Sequence, residues 1–156
     1  MTICKPHFQL SRHDRIRVAD LGLAKLQDRI TGTVCGTMLY MAPEVHEGKL
    51  YSTKADMYSF GLVMWEMWFG ESVFSELRHQ SPREFFRRIK EENFRPQTPR
   101  NDRSLPRSDR NLPPAQWTEL MISCWQTEPS KRKTASECKA FIQDIENPLL
   151  HSGSWV

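Results

Sequence analysis

The sequence contains no run near the ~20 apolar residues that a membrane-spanning helix requires. No apolar signal region follows Met1, and Thr2 stands where N-myristoylation needs a glycine. There is no Cys-x-x-Cys pair: the four cysteines stand at 4, 35, 124 and 138, with no close histidine cluster. That spacing excludes a zinc finger and a disulfide framework, and four reduced thiols are expected of a cytoplasmic protein. Charge of one sign is also lacking. The net charge of +3 is no polyanion-binding signature, and no aromatic-interleaved basic groove suggests nucleic acid. Internal repeats and low-complexity tracts are absent.

What is present is enough for a core. A chain of 156 residues is one domain or a piece of a larger one, and can bury roughly 70% of its unfolded surface. Apolar residues are 38% and charged residues 26%, yet 8 Phe, 5 Trp and 3 Tyr are too many for a solvated tail.

Alternation in Arg15-Ile16-Arg17-Val18-Ala19 predicts a short strand or hairpin arm. Residues 20–50 lack sustained periodicity and read as a long loop closed by a short helix near Pro43. The strongest helix is predicted over 53–70. Thr53 is its N-cap, Asp56 lies in the first turn, and Gly70 is the C-terminal stop. Met57, Tyr58, Phe60, Leu62, Val63, Met64, Trp65, Met67, Trp68 and Phe69 make it apolar nearly all round, so it should be central and buried on all sides. A short helix is expected over Pro82–Lys90, with Phe85, Phe86 and Ile89 on one side. Five prolines make 96–114 an extended linker. Trp117, Leu120, Met121, Cys124 and Trp125 mark another helix. The last begins at Thr134, forms a capping box with Glu137, and places Cys138, Phe141, Ile142 and Ile145 on one face. Residues 148–156 are expected to be a flexible tail.

Four motifs follow in order. Asp20-Leu21-Gly22 ends the strand, and a carboxylate there can hold a hard cation over nucleotide phosphates. Ala42-Pro43-Glu44 follows, preceded by Gly36-Thr37-Met38-Leu39-Tyr40-Met41. Asp56-Met57-Tyr58-Ser59-Phe60-Gly61 opens the long helix. Cys124-Trp125-Gln126-Thr127-Glu128-Pro129-Ser130-Lys131-Arg132 lies far downstream. Together, over residues 5–146, they resemble the C-terminal lobe of a eukaryotic protein kinase. The run Ser59-Phe60-Gly61-Leu62-Val63-Met64-Trp65-Glu66-Met67 looks like the tyrosine-kinase-like group or the dual-specificity Ser/Thr and Tyr kinases.

The resemblance implies a mainly helical C-lobe fold over 1–147, packed round the 53–70 helix, with the N-lobe outside the chain. It implies a parent activity that transfers the ATP γ-phosphate to protein Ser/Thr hydroxyls, Tyr being left open, with ATP and Mg2+ as cofactors and proteins as partners. Asp20 matches the metal-binding Asp, with Leu21 in place of the usual Phe. Residues 20–44 match the activation segment, and Thr37 its Gly-Thr-x-x-Tyr pattern. Thr31 and Thr33 are candidate regulatory phosphosites, weighed against an unmodified polar loop. Glu44 and Arg132 match an ion pair, and Asp56 a carboxylate that accepts backbone N–H groups from residues 1–6.

The departures lie at the start. In place of His-Arg-Asp-Leu-Lys-Pro-x-Asn stands Met1-Thr2-Ile3-Cys4-Lys5-Pro6-His7-Phe8. The catalytic Asp falls on Ile3 or Thr2 and the second metal-binding Asn on Phe8 or His7, while Lys5 can still match the phosphate-contacting lysine. This chain alone is therefore expected to be inactive. The alternative is a pseudokinase-like binding or regulatory module, including a decoy that competes for docking partners. The basic window 78–110 reads as a solvated face rather than a docking patch.

Overall fold

The computed structural model describes residues 7–10, 16–19, 38–77, 80–96 and 112–146. Strands β1 (His7–Leu10) and β2 (Ile16–Ala19) form an antiparallel hairpin with Phe8 opposite Val18. The other described residues are largely helical: α1 (Pro43–His46), α2 (Lys54–Phe69), α3 (Pro82–Glu91), α4 (Ala115–Cys124) and α5 (Ala135–Glu146). Three 3-10 turns join them, at Met38–Tyr40, Ser75–Leu77 and Pro129–Lys131. The mainly α class expected from the sequence is thus observed among the described residues. Residues 97–111 of the proline-rich linker and the tail lie outside the described residues.

Helix α2 is the hub. Ala55, Tyr58, Leu62, Met64 and Trp65 are buried along it, and α4 packs on it through Leu120, Met121 and Cys124. Gly61 sets that approach. A Cβ there would lie 3.1 Å from Cys124 Cβ and 3.1 Å from the Met121 carbonyl oxygen, so only hydrogen fits. Gly70 ends the helix at φ 69°, and its N–H donates to the Glu66 carbonyl.

Two details of α2 differ from expectation. Thr53 occupies the N-cap position, but its backbone is helical there and its side chain makes no capping bond; the Ser52 hydroxyl accepts from the Lys54 N–H instead. Burial is also not complete all round. Burial is densest between Ala55 and Trp65; beyond it Met67 is 59% exposed and Trp68 and Phe69 are half-buried, with Trp68 still meeting Trp117 of α4 at 5.6 Å.

Helix α3 forms as its pattern predicts, capped by the Ser81 hydroxyl and burying Phe85, Phe86 and Ile89. Phe74 adopts φ 54°, an uncommon conformation for a bulky side chain. Its buried ring meets Phe85 edge-on at 5.1 Å, and that packing opposes the backbone cost. The capping box at α5 is reciprocal. The Thr134 N–H donates to Glu137, and the Glu137 N–H donates to the Thr134 hydroxyl. Only the start of the expected α5 face is covered: Cys138 is buried, whereas Ile142 and Ile145 are exposed.

Candidate functional site

The segment 38–46 lies against α2 with Tyr40, Met41, Ala42, Glu44 and Val45 buried. A buried carboxylate must be paired to persist, and Glu44 is. Arg132 Nη1 donates to Glu44 Oε1 at 2.6 Å and Nη2 to Oε2 at 2.9 Å. Arg132 is only 1% exposed, so both charges have left water. The guanidinium offsets that cost by using all five of its N–H groups. Besides Glu44, Nε donates to the Gln126 carbonyl, Nη1 to the Lys54 carbonyl, and Nη2 to the Thr127 carbonyl. Arg132 therefore ties together α1, the start of α2 and the loop after α4. Lys54 Nζ donates in turn to the Arg132 carbonyl.

A buried cation and a half-buried one share one aromatic ring. The guanidinium carbons of Arg132 and Arg95 lie 5.0 and 5.3 Å from the Tyr58 ring centre. Arg95 donates to the carbonyls of Trp125, Ile89 and Phe94 and to the Thr127 hydroxyl. Burial pushes the Tyr58 phenol above its ordinary range, against the pull of both arginines, so it stays neutral.

A second polar knot holds the same segment further along α2. The Tyr40 hydroxyl donates to Glu66 Oε1 at 2.6 Å, and the Val73 N–H donates to the same oxygen at 3.1 Å. The Ser59 hydroxyl donates to the Tyr40 carbonyl at 2.8 Å. The chain from 38 to 46 is thus held at Tyr40 and again at Glu44.

Beside it, α1 and α3 enclose a cavity of about 340 Å³ lined by Pro43, His46, Glu47, Phe86 and Lys90 among others. His46 stacks on Phe86 at 3.4 Å, and Lys90 pairs with Glu47 across the opening. Three of the four basic residues of α3 are paired: Arg87 grips Glu84 and Glu92, Arg88 reaches Glu92, and Lys90 meets Glu47. Within α3 the window 78–110 is accordingly a paired, solvated face.

Of the residues singled out from the sequence, Glu44 and Arg132 are brought together directly. Asp56 lies half-buried in the first turn of α2. Residues 1–6, expected to be its partners, lie outside the described residues, as do Lys5, Asp20, Thr31, Thr33 and Thr37. Among the described residues no group of three or more His, Cys, Asp or Glu could hold a metal ion. Sequence reasoning missed Glu66 and Arg95. Glu66 carried a signal, being the sole charge in the apolar run 57–69. Arg95 carried none, because only the fold sets it beside Tyr58.

Comparison with known proteins agrees with this geometry. The family model described as protein kinase domain matches residues 5–141. The dual serine/threonine and tyrosine protein kinase of Strongylocentrotus purpuratus is 32% identical over 147 residues, covering 90% of this chain and 14% of that protein. The serine/threonine-protein kinase STY17 of Arabidopsis thaliana is 31% identical over 138 residues, covering 87% of this chain and 22% of that protein. The dual specificity protein kinase shkA of Dictyostelium discoideum is 30% identical over 136 residues, covering 83% and 23%. The chain spans less than a quarter of the length of each of these relatives.

Proposed function

The chain belongs to the protein kinase domain family, and we propose that it serves as the part of a protein phosphotransferase that holds the activation segment and receives the protein substrate. The reaction is transfer of the ATP γ-phosphate to Ser or Thr hydroxyls of proteins, with Tyr as a second acceptor in the dual-specificity form. The observation that carries this reading is the buried Glu44–Arg132 pair, which fixes the end of residues 20–44 to the helical core. Phosphoryl transfer depends mostly on positioning and charge stabilisation, so a rigidly held substrate segment is a direct contribution to rate.

In this reading Asp20 holds one Mg2+, Lys5 contacts phosphate, Thr37 lies in the substrate-facing loop, and Asp56 fixes the backbone ahead of Asp20. Bound Mg-ATP supplies the phosphoryl group and the neutralising metal. Thr31 and Thr33 are the proposed phosphosites, where added charge would order the segment. A cytoplasmic location goes with this assignment.

Binding without turnover is the second reading. It is favoured by one sequence observation: residues 1–8 supply neither an Asp for the substrate hydroxyl nor an Asn for a second metal. The 156 residues by themselves are then expected to transfer no phosphate. The test incubates the purified chain with Mg-ATP and a broad peptide array, beside Asp20→Asn. Transfer that vanishes in Asp20→Asn would overturn the inactivity and the alignment of residues 1–8. No turnover, with partner capture that survives Asp20→Asn, supports the binding reading. Coding sequence upstream of Met1, in frame and specifying a Gly-rich loop and His-Arg-Asp, would support the catalytic one.

A further inference from the structure

Cys124, the last residue of α4, and Cys138, near the start of α5, place their sulfurs 3.6 Å apart in the core. Both thiols are free and buried. Their meeting is built in from both sides. Cys124 is wedged against Gly61 of α2, and the Cys138 N–H closes the first turn of α5 on the Thr134 carbonyl within the capping box. We propose that Cys124 and Cys138 are an oxidation site, at which hydrogen peroxide joins the two thiols in a reversible disulfide that staples α4 to α5.

The geometry favours a cross-link over other products. A disulfide needs a sulfur separation of ~2.0 Å, so the two atoms have roughly 1.5 Å left to close. Cys124 is 0% exposed and Cys138 4%, so neither has room for a bulky thiol adduct. A bond between the two adds no atoms to the core.

The order of reaction follows from their surroundings. Burial raises both thiols above their ordinary range, which keeps the pair reduced until α5 opens. Opening starts at the thinly covered end, where Ile142 and Ile145 are already exposed. Cys138 is the less buried residue of the two, and Lys133 and Lys54 favour its thiolate against burial and Glu137. Its thiolate attacks one peroxide oxygen and the O–O bond breaks. The departing oxygen takes a proton and leaves as water, and Cys138 becomes a sulfenic acid. Cys124 then loses its proton and attacks that sulfur. The S–O bond breaks and a second water leaves. In total two thiols and one peroxide give one disulfide and two waters; the sulfurs lose two electrons and the peroxide gains them.

The closed loop, 124–138, contains Arg132. Oxidation thereby restrains the residue that anchors Glu44, and the redox state of two core sulfurs sets how firmly the 38–46 segment is held.

The test treats the 156-residue protein with hydrogen peroxide, alkylates free thiols in denaturant, and maps non-reduced tryptic peptides. Trypsin cuts after Lys131, Arg132 and Lys133, so Cys124 and Cys138 travel separately unless bonded. The expected result is one joined pair through Cys124 and Cys138, a mass loss of two hydrogens, and reversal by dithiothreitol. Tm should rise by roughly 5–10 °C, as closing a loop of this length implies. Cys138→Ala should lose both the joined pair and the peroxide-induced rise. Mapping the unsubstituted protein decides the matter even if that variant does not fold. Joined peptides through Cys4 or Cys35 instead, sulfinic acid at Cys138, or both core thiols still open to alkylation would overturn the proposal.

Discussion

Glu44 and Arg132 stand 88 residues apart in sequence and meet in a bidentate pair inside the protein. The acid comes from the short helix α1, and the base from the loop between α4 and α5. That base is the largest side chain among the most deeply buried ones. The pair holds a segment with little regular structure of its own, so its removal should be felt as loss of fold.

Arg132→Ala strands the Glu44 carboxylate and frees the carbonyls of Gln126, Lys54 and Thr127 at once. Breaking a buried pair costs roughly 3–5 kcal/mol. Denaturant titration should show a much lower midpoint, or the variant should be insoluble. Arg132→Lys should rescue little, because an ammonium cannot form the parallel pair. A parent-like midpoint for the Ala variant would contradict the structural role.

Gly61→Ala tests the α2–α4 contact. The added methyl meets a backbone oxygen and two Cβ atoms at 3.1–3.2 Å, none of them a flexible side-chain end. The helix gains a better helix former, but separation of the helices outweighs that. The expected net loss is about 1–2 kcal/mol by chemical denaturation. A stabilised variant would show that α4 can withdraw without cost.

Tyr40→Phe removes the hydroxyl bonded to Glu66 and leaves the Val73 N–H on the same oxygen. A hydrogen bond to a charged acceptor is worth about 1.5–3 kcal/mol. Stability should fall by that order, and protease cleavage between 38 and 46 should quicken. Equal cleavage rates would place the hold on this segment at Glu44 and at the Ser59 bond to the Tyr40 carbonyl, not at the phenol.

His46 gives a pH prediction. Burial against Phe86 holds its pKa below the ordinary 6.5, with Glu47 pulling the other way. The unfolded chain thus takes up a proton before the folded one. Stability is full above about pH 6.5 and falls as the pH drops toward the lower folded value. Thermal melts of His46→Gln should lack this step. An unchanged profile between variant and parent would assign the acid sensitivity elsewhere.

Glu137 acts lower on the scale. The Thr134 backbone N–H and hydroxyl hold its carboxyl below the ordinary 4.5. Its contribution is present above that value and is lost as pH falls through the folded pKa. Thr134→Ala keeps the backbone N–H and removes only the hydroxyl, so it should soften the acid limb in part and fray α5, seen as faster amide exchange at its first turn.

Much of the order of elements was legible in the sequence because several of them carry their own local cause. Pro43 starts α1, Ser81 caps α3, Thr134 and Glu137 cap α5, and Gly70 stops α2 through a left-handed turn. The spaced motifs likewise carried the family, since residue types at fixed offsets survive without knowledge of contacts. Local periodicity could not say where burial ends along α2 or α5. Exposure of Met67 and Ile145 depends on which neighbours reach them, not on their own hydrophobicity. Nor could it bring Arg95 and Arg132 to one tyrosine, Glu66 to Tyr40, or Cys124 to Cys138. Those meetings join residues from 14 to 74 positions apart. They exist because packing α2 against α4, and α4 against α5, fixes distances that no local pattern encodes, and because a charge taken out of water must then find its partner wherever the chain happens to return.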